Sequence, residues 1–343
     1  MALGPTAHAG KRYTRFTDQG DGMSAVNIIY LCPAVDTPNG GIKVMYRHAE
    51  TLGDLGFNAF IYHPENPDFS CTWFEHRVRF KRDPKFDGSS DFLIVPEVRA
   101  AQVAQLVVPL GIRYAIFVQN GYQIKDRPKA WSDEDIDGAY AKAQLLISIS
   151  EHCSLMIDLH QPGFRSKTVR VGISIPRDFV GGPHRKENLV CFMPRKNFDD
   201  ASNIAFALRK RLRPGWATAA IHGLPETQAL AIMKRSRIFL ALGRSEGLGL
   251  PPLEAALCGN HVIGYSGEGG LEYWTPPNFE EVKPGDIADF VRRIEERMRA
   301  IESDPESSEA FLSNIERLAE RYSAEAERRR LAELAARIQE LYA

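Results

Sequence analysis

Short apolar runs alternate along the chain with longer stretches whose apolar residues recur three and four apart, the rhythm of strands separated by amphipathic helices. Runs at 27–32, 58–63, 92–96, 114–118 and 145–149 are short enough to be buried strands, and 168–175 reads as a sixth that closes the first half. Between the first two, Val44, His48, Leu52 and Leu55 share one helical face that Gly56 ends. A helical stretch fills 98–108, and Ser150-Glu151 reads as the cap of a helix after the fifth run. The pattern then restarts, with strands at 188–193, 217–221, 238–242 and 261–265 and helices at 199–212 and 225–235. Strands this apolar, each followed by a helix, are parallel strands covered on both faces. The segment 177–187, with Gly181, Gly182, Pro183 and several charges, reads as the linker between the halves. From Pro284 onward the chain is helical, and the stretch from Ser323 lines up Leu331, Leu334, Ile338 and Leu341 on one face. That stripe must be buried against something.

A length of 343 residues suits two domains, and composition adds only exclusions. The formal net charge of −1 gives no global attraction to nucleic acid or membrane. Five scattered cysteines (32, 71, 153, 191, 258), with no C-x-x-C pair, read as reduced thiols in a cytoplasmic protein without a zinc framework. No apolar run is long enough for a membrane span. Residues 1–24 are polar and glycine-rich without the apolar core of a secretory signal, so they read as a loose arm.

The chemistry concentrates at strand ends. The run 238–242 empties into Arg244-Ser-Glu-Gly-Leu-Gly-Leu-Pro-Pro-Leu-Glu-Ala-Ala-Leu-Cys-Gly259, a loop and then a helix with prolines in its first turn. Such a junction gathers free N–H groups and a positive helix end, which suits an anion. Glu246 and Glu254 do not suit an anion alone. They imply hydroxyls on the same ligand. Other strand ends carry Gly40-Gly41, Gln119-Asn120-Gly-Tyr122, Pro194-Arg195-Lys196 and Ser266-Gly-Glu-Gly-Gly-Leu-Glu272. The paired glycines either make a tight turn or let backbone approach a ligand; Gln119 and Asn120 either turn the chain or bind sugar hydroxyls. Neither half holds the G-x-G-x-x-G dinucleotide fingerprint. The alternating basic stretch 76–82 is either a charged edge strand or a contact for an anionic lipid headgroup or acidic acceptor.

The stretch 245–259 resembles the donor-site signature of retaining GT-B glycosyltransferases of the family 4 type, whose E-x7-E pair falls on Glu246 and Glu254. The resemblance spans most of the chain, through Gly40-Gly41, the restart near Asn188 and the loop 267–271. It implies an α/β fold of two Rossmann-like α/β/α domains facing across a cleft, with the last helix crossing back to the first domain. The expected layout is an acceptor domain over 25–180 joined by the helix 323–343, and a donor domain over 181–322. By the same resemblance Glu254 binds the ribose hydroxyls of a nucleotide, and Glu246 lies beside the donor sugar. Arg195 and Lys196 neutralise the departing diphosphate. Gly247, Leu248, Gly249, Leu250, Gly267, Gly269, Gly270, Leu271, Gly40 and Gly41 approach the donor, while Gln119, Asn120 and Tyr122 face the acceptor. The family's basic pair stands about five residues apart, whereas here Arg195 and Lys196 are adjacent; the family's acceptor-side histidine has Gln119-Asn120 in its place. The implied substrates are a nucleotide-diphospho-sugar and a glycan or lipid-linked acceptor, with no cofactor, no metal and no nucleic acid. The implied setting is bacterial polysaccharide or glycoconjugate assembly, in the cytoplasm with peripheral contact at the inner membrane face. A nucleotide-sugar 2-epimerase of the same fold and a non-catalytic GT-B module are the alternatives.

Overall fold

A computed structural model describes residues 26–126, 128–181, 186–304 and 308–343. The arm expected at 1–24 and positions 182–185 of the linker lie outside the described residues. The first sheet contains β1 (Asn27–Leu31), β2 (Asn58–Tyr62), β3 (Asp91–Pro96), β4 (Arg113–Val118), β5 (Leu145–Ser148) and β6 (Thr168–Arg170) in the order β2-β1-β3-β4-β5-β6. The second contains β7 (Leu189–Phe192), β8 (Ala217–Ala220), β9 (Ile238–Ala241), β10 (His261–Gly264) and β11 (Phe279–Glu281) in the order β11-β10-β9-β7-β8. Every pairing is parallel. The central strands are buried on both faces, which is why they read as continuous apolar runs rather than alternating ones.

The helices are α1 (Gly40–Asp54), α2 (Ala100–Val107), α3 (Asp133–Lys142), α4 (Glu151–His160), α5 (Phe198–Leu208), α6 (Glu226–Arg235), α7 (Leu250–Leu257), α8 (Ile287–Ser303), α9 (Glu309–Arg321) and α10 (Ala324–Glu340). In each sheet the strand order reverses once, between β1 and β3 and between β7 and β9. A crevice opens at such a reversal, outside the carboxyl ends of the strands, and ligands of open α/β sheets bind there.

The last helix, α10, packs on α1 of the first half. Its stripe of Leu331, Leu334 and Ile338 joins the first half's core, together with Leu52 and Phe117. Under it Glu327 accepts hydrogen bonds from Ser174 N–H at 2.9 Å and Ser174 Oγ at 2.7 Å, and His48 Nε2 lies 3.6 Å away. Near its end, Tyr342 Oη donates to Asp91 O at 2.6 Å. Among the described residues no helix is long and apolar enough to cross a membrane.

Several local expectations change. The strand expected over 168–175 stops at Arg170, because Gly172 turns the backbone to φ +67° and takes the chain out of the sheet. The stretch 76–82 is not a strand. Only Phe80 bridges to Ile61, and the cations instead find local partners: Arg77 pairs with Glu50 and Asp54, and Arg79 lies over the Phe60 ring. Gly40 and Gly41 form the first turn of α1 rather than a loop, since Asn39 caps it by accepting from Gly41 N–H at 2.9 Å. Two elements are additional: α3, opened by a Ser132/Asp135 capping box, and the three-residue edge strand β11.

Candidate functional site

The second half's crevice is built from three strand ends. After β7, Pro194–Lys196 forms a single tight turn that projects Arg195 and Lys196, and Asn197 then caps α5. After β9 the chain passes Gly243 to Gly249 and enters α7, with Pro251 and Pro252 in the first turn, where their missing N–H groups cost nothing. After β10, Ser266 to Glu272 folds beside the β9 loop, and Glu246 N–H donates to Gly267 O at 2.9 Å. A small cavity between these loops is lined by Met193, Lys196, Gly243, Glu246, Pro251 and Tyr265, among others.

Glu246 lies against Lys196, with Nζ at 2.8 Å from Oε1 and 3.0 Å from Oε2. Arg195, adjacent in sequence, is exposed and makes no ion pair among the described residues. Glu254 lies one turn into α7. Burial pushes its carboxyl up to about 7, against the opposing field of Lys43 and with further help from Glu226. An acid held there carries a proton that it can release to gain charged hydrogen bonds when a donor ligand arrives.

A further cation belongs to this crevice. Arg244 heads the acidic stretch without a legible role, because its partner is far away in sequence. Its Nη2 donates to Asp200 Oδ2 at 2.7 Å, and the same carboxylate accepts from Tyr265 Oη at 2.7 Å and Asn197 Nδ2 at 2.7 Å. Burial, the largest influence on Asp200, opposes its ionisation, but these donors outweigh it and hold the carboxyl below its ordinary range. One edge of the guanidinium is fixed and the rest is half-exposed, an arrangement suited to gripping an anion. Asp200 stands five residues after Arg195, where the resemblance places a lysine.

The two halves meet at the donor loop. A Cβ on Gly247 would lie 1.9 Å from Gln119 O, so only glycine permits this approach. Gly247 O accepts from Ser150 Oγ at 2.5 Å, and Asn120 Nδ2 donates to Ser245 O at 3.5 Å. Buried Glu97 fixes the facing loop by accepting from Asn120 N–H at 2.8 Å and Gln119 N–H at 3.2 Å. Lys43 of α1 pairs with Glu226 of α6 across the same crevice, and a Cβ on Gly40 would lie 3.4 Å from Leu250 Cδ1. Glu272 completes the closure: it accepts from Glu151 N–H at the start of α4 at 2.7 Å, from Tyr322 Oη at 2.8 Å and from Arg321 at 3.0 Å.

The structure therefore gathers Glu246, Lys196, Gly247, Gly249, Gly267 and Gly269 tightly, with Gln119 and Asn120 against them. Leu248 sends its side chain into the core and offers backbone only, Gly270 is buried beneath the Tyr273 ring, and Leu271 is half-exposed. Gly41 lies beside the Gln119 side chain, and Tyr122 stands behind on the first half's face, its ring 5.3 Å from that of His152.

No family model matches the sequence. The chain is 25% identical over 257 residues, 70% of its length and 72% of the relative's, to an alpha-1,6-glucosyltransferase of Actinobacillus pleuropneumoniae serotype 7. Among solved structures it is similar to HepE of Anabaena in complex with UDP, with a TM-score of 0.68 at 13% identity over 91% of this chain and all of that one. It is also similar to a sucrose-phosphate synthase from Thermosynechococcus elongatus, with a TM-score of 0.65 at 13% identity over 91% of this chain and 99% of that one. The fold is GT-B. In GT-B terms the crevice just described is the cleft between the two Rossmann-like domains, and α10 is the helix that returns to the first.

Proposed function

We propose that the chain is a glycosyltransferase that moves a sugar from a nucleotide-diphospho-sugar to a glycan or lipid-linked acceptor with retention and without a metal. The observation that carries the reading is the division of charge in the cleft. Glu246 is oriented by Lys196, Glu254 is set apart on α7, and Arg195 and Arg244 remain to meet an anion. A phosphate alone would offer the two acids no hydrogen-bond donors. A ligand with hydroxyls at both ends and a diphosphate between them satisfies every group. The 25% identity to a glucosyltransferase and the UDP held by HepE support the same class of donor.

In this reading Glu254 accepts from the ribose hydroxyls and Glu246 from the donor sugar. Arg195, Arg244 and Lys196 take up charge on the departing diphosphate, electrostatic stabilisation aimed at the atoms where charge develops. The bond from the anomeric carbon to the phosphate oxygen breaks with its electron pair on the phosphate. The acceptor oxygen bonds to the same face, and its proton passes to the leaving phosphate. The closed cleft excludes water from this exchange. The setting is polysaccharide or glycoconjugate assembly at the inner face of a membrane.

The test is a thermal-shift panel of UDP, GDP, ADP and their glucose, galactose and mannose derivatives, followed by NMR of the product anomer with and without EDTA. One nucleoside diphosphate should stabilise selectively, and the glycoside should keep the donor's configuration with EDTA present. An inverted product removes the retaining mechanism, and EDTA-sensitive transfer removes metal independence. Conversion of the nucleotide sugar to its 2-epimer, or binding with no turnover, would instead establish one of the alternatives.

A further inference from the structure

Glu268 occupies a backbone conformation that its neighbours make conspicuous. Its φ of +63° and ψ of −52°, with Gly269 N–H donating back to Gly267 O at 2.7 Å, describe a γ-turn of the rare, strained sense. Among the described residues it is the only non-glycine with positive φ. Gly267, Gly269 and Gly270 surround it, so a fourth glycine would have kept the shape and removed the strain. A charged side chain held at that cost, exposed in a cleft, points to use of its carboxylate.

Its surroundings say for what. Glu268 forms an isolated parallel bridge with Glu246, which places it directly beside the donor acid. Across the cleft the Glu272–Glu151 N–H bond pins the start of α4 over this loop. The next residue, His152, tilts its ring against Tyr122, and its buried Nε2 has no hydrogen-bond partner. The Glu268 charge reaches both rings. Burial raises the Tyr122 hydroxyl and Glu268 raises it further; burial lowers His152, and Glu268 and Glu272 oppose that. Gln119 and Asn120, by contrast, are engaged with the donor loop itself.

We propose that Glu268, Tyr122 and His152 form the acceptor subsite and that it takes an uncharged saccharide, a hydroxyl of which donates to Glu268 while its ring lies against Tyr122. The proposal rests on the glycosyltransferase reading and extends it to the acceptor. Aromatic rings offer a sugar's C–H face an apolar surface with a polar edge, and a carboxylate accepts strongly from hydroxyls. Glu268, exposed and without an ion pair among the described residues, disfavours an acceptor that carries a phosphate or carboxylate near the reacting hydroxyl.

The experiment uses the full chain with UDP-glucose as donor. UDP release is followed against methyl glucoside, maltose and cellobiose, and against glucuronic acid and glucose 6-phosphate. The neutral sugars should accelerate release and the anionic ones should not. Glu268→Gly should raise the melting temperature, leave UDP affinity within about twofold, and raise the neutral acceptor's KM by about tenfold or more. Glu268→Gln should fall between. An unchanged acceptor KM in Glu268→Gly, or acceleration by the anionic sugars in preference to the neutral ones, overturns the proposal while leaving the donor reading intact. A wild-type chain stabilised by no nucleoside diphosphate of the panel fails at the earlier step, and both readings go together.

Discussion

Glu254 shows how a single residue can be stabilising in one protonation state and functional in the other. Its carboxyl is pushed up to about 7 from an ordinary 4.5. Between those values the folded chain holds a proton that the unfolded chain has released. The group therefore favours folding at the acid end, and that preference is lost as pH rises through 7. Glu254→Gln keeps the shape and removes the charge. Urea denaturation should find the variant about 1–3 kcal/mol more stable than wild type at pH 8 and equal to it near pH 4.5. The same variant should bind the nucleoside diphosphate selected by the thermal-shift panel about tenfold more weakly. A variant no more stable at pH 8 would mean that the carboxyl is solvated in the free protein. Glu246 and Glu254 were legible because both sit in one local stretch with its own strand, loop and helix signals. Arg244 was not, because its anchor on Asp200 is 44 positions away, and Glu268 was not, because backbone strain leaves no trace in composition.

At the level of elements, what matters is how the loop between β9 and α7 is seated. Glycine at 247 is required by the carbonyl of Gln119 in the other domain, not by the loop's own conformation. Gly247→Ala should therefore leave each domain folded but prevent the loops from meeting. Sugar transfer should fall by about 100-fold, the cost of misplacing reacting groups, and small-angle scattering should show a larger radius of gyration. An active, equally compact variant would show that the contact is incidental. Most elements were legible from periodicity, to within a residue or two at their ends. Misses have local causes. The stretch 76–82 has the alternation of a strand, yet it meets the backbone of β2 only through Arg79 O and Lys81 N–H on either side of the Phe80 bridge, while Glu50, Asp54 and the Phe60 ring hold its cations. β11 escaped notice because three residues ending in Glu280 and Glu281 carry no strand signal. The helix α3 was signalled by Ser132 and Asp135, a capping box that precedes a weakly apolar run.

The two halves of the molecule were visible as a pattern that restarts, and the apolar stripe of the last helix announced that it needed a partner. Which half would supply it could come only from a family resemblance, since a stripe of leucines fits any apolar groove. The structure places Leu331, Leu334, Ala335 and Ile338 in the first domain's core, fully buried. Leu334→Ala should cost about 2–5 kcal/mol of stability, and proteolysis of the variant should open the first domain ahead of the second. Equal susceptibility of both would mean that α10 is shared rather than owned. The arrangement also has a consequence in time. On the ribosome the first sheet emerges early, but the groove on α1 stays uncovered until residues 324–340 appear. The second domain can complete its own core before then. The half of the molecule that is made first is thus the last to be finished, and for most of translation it needs shelter for its exposed apolar face.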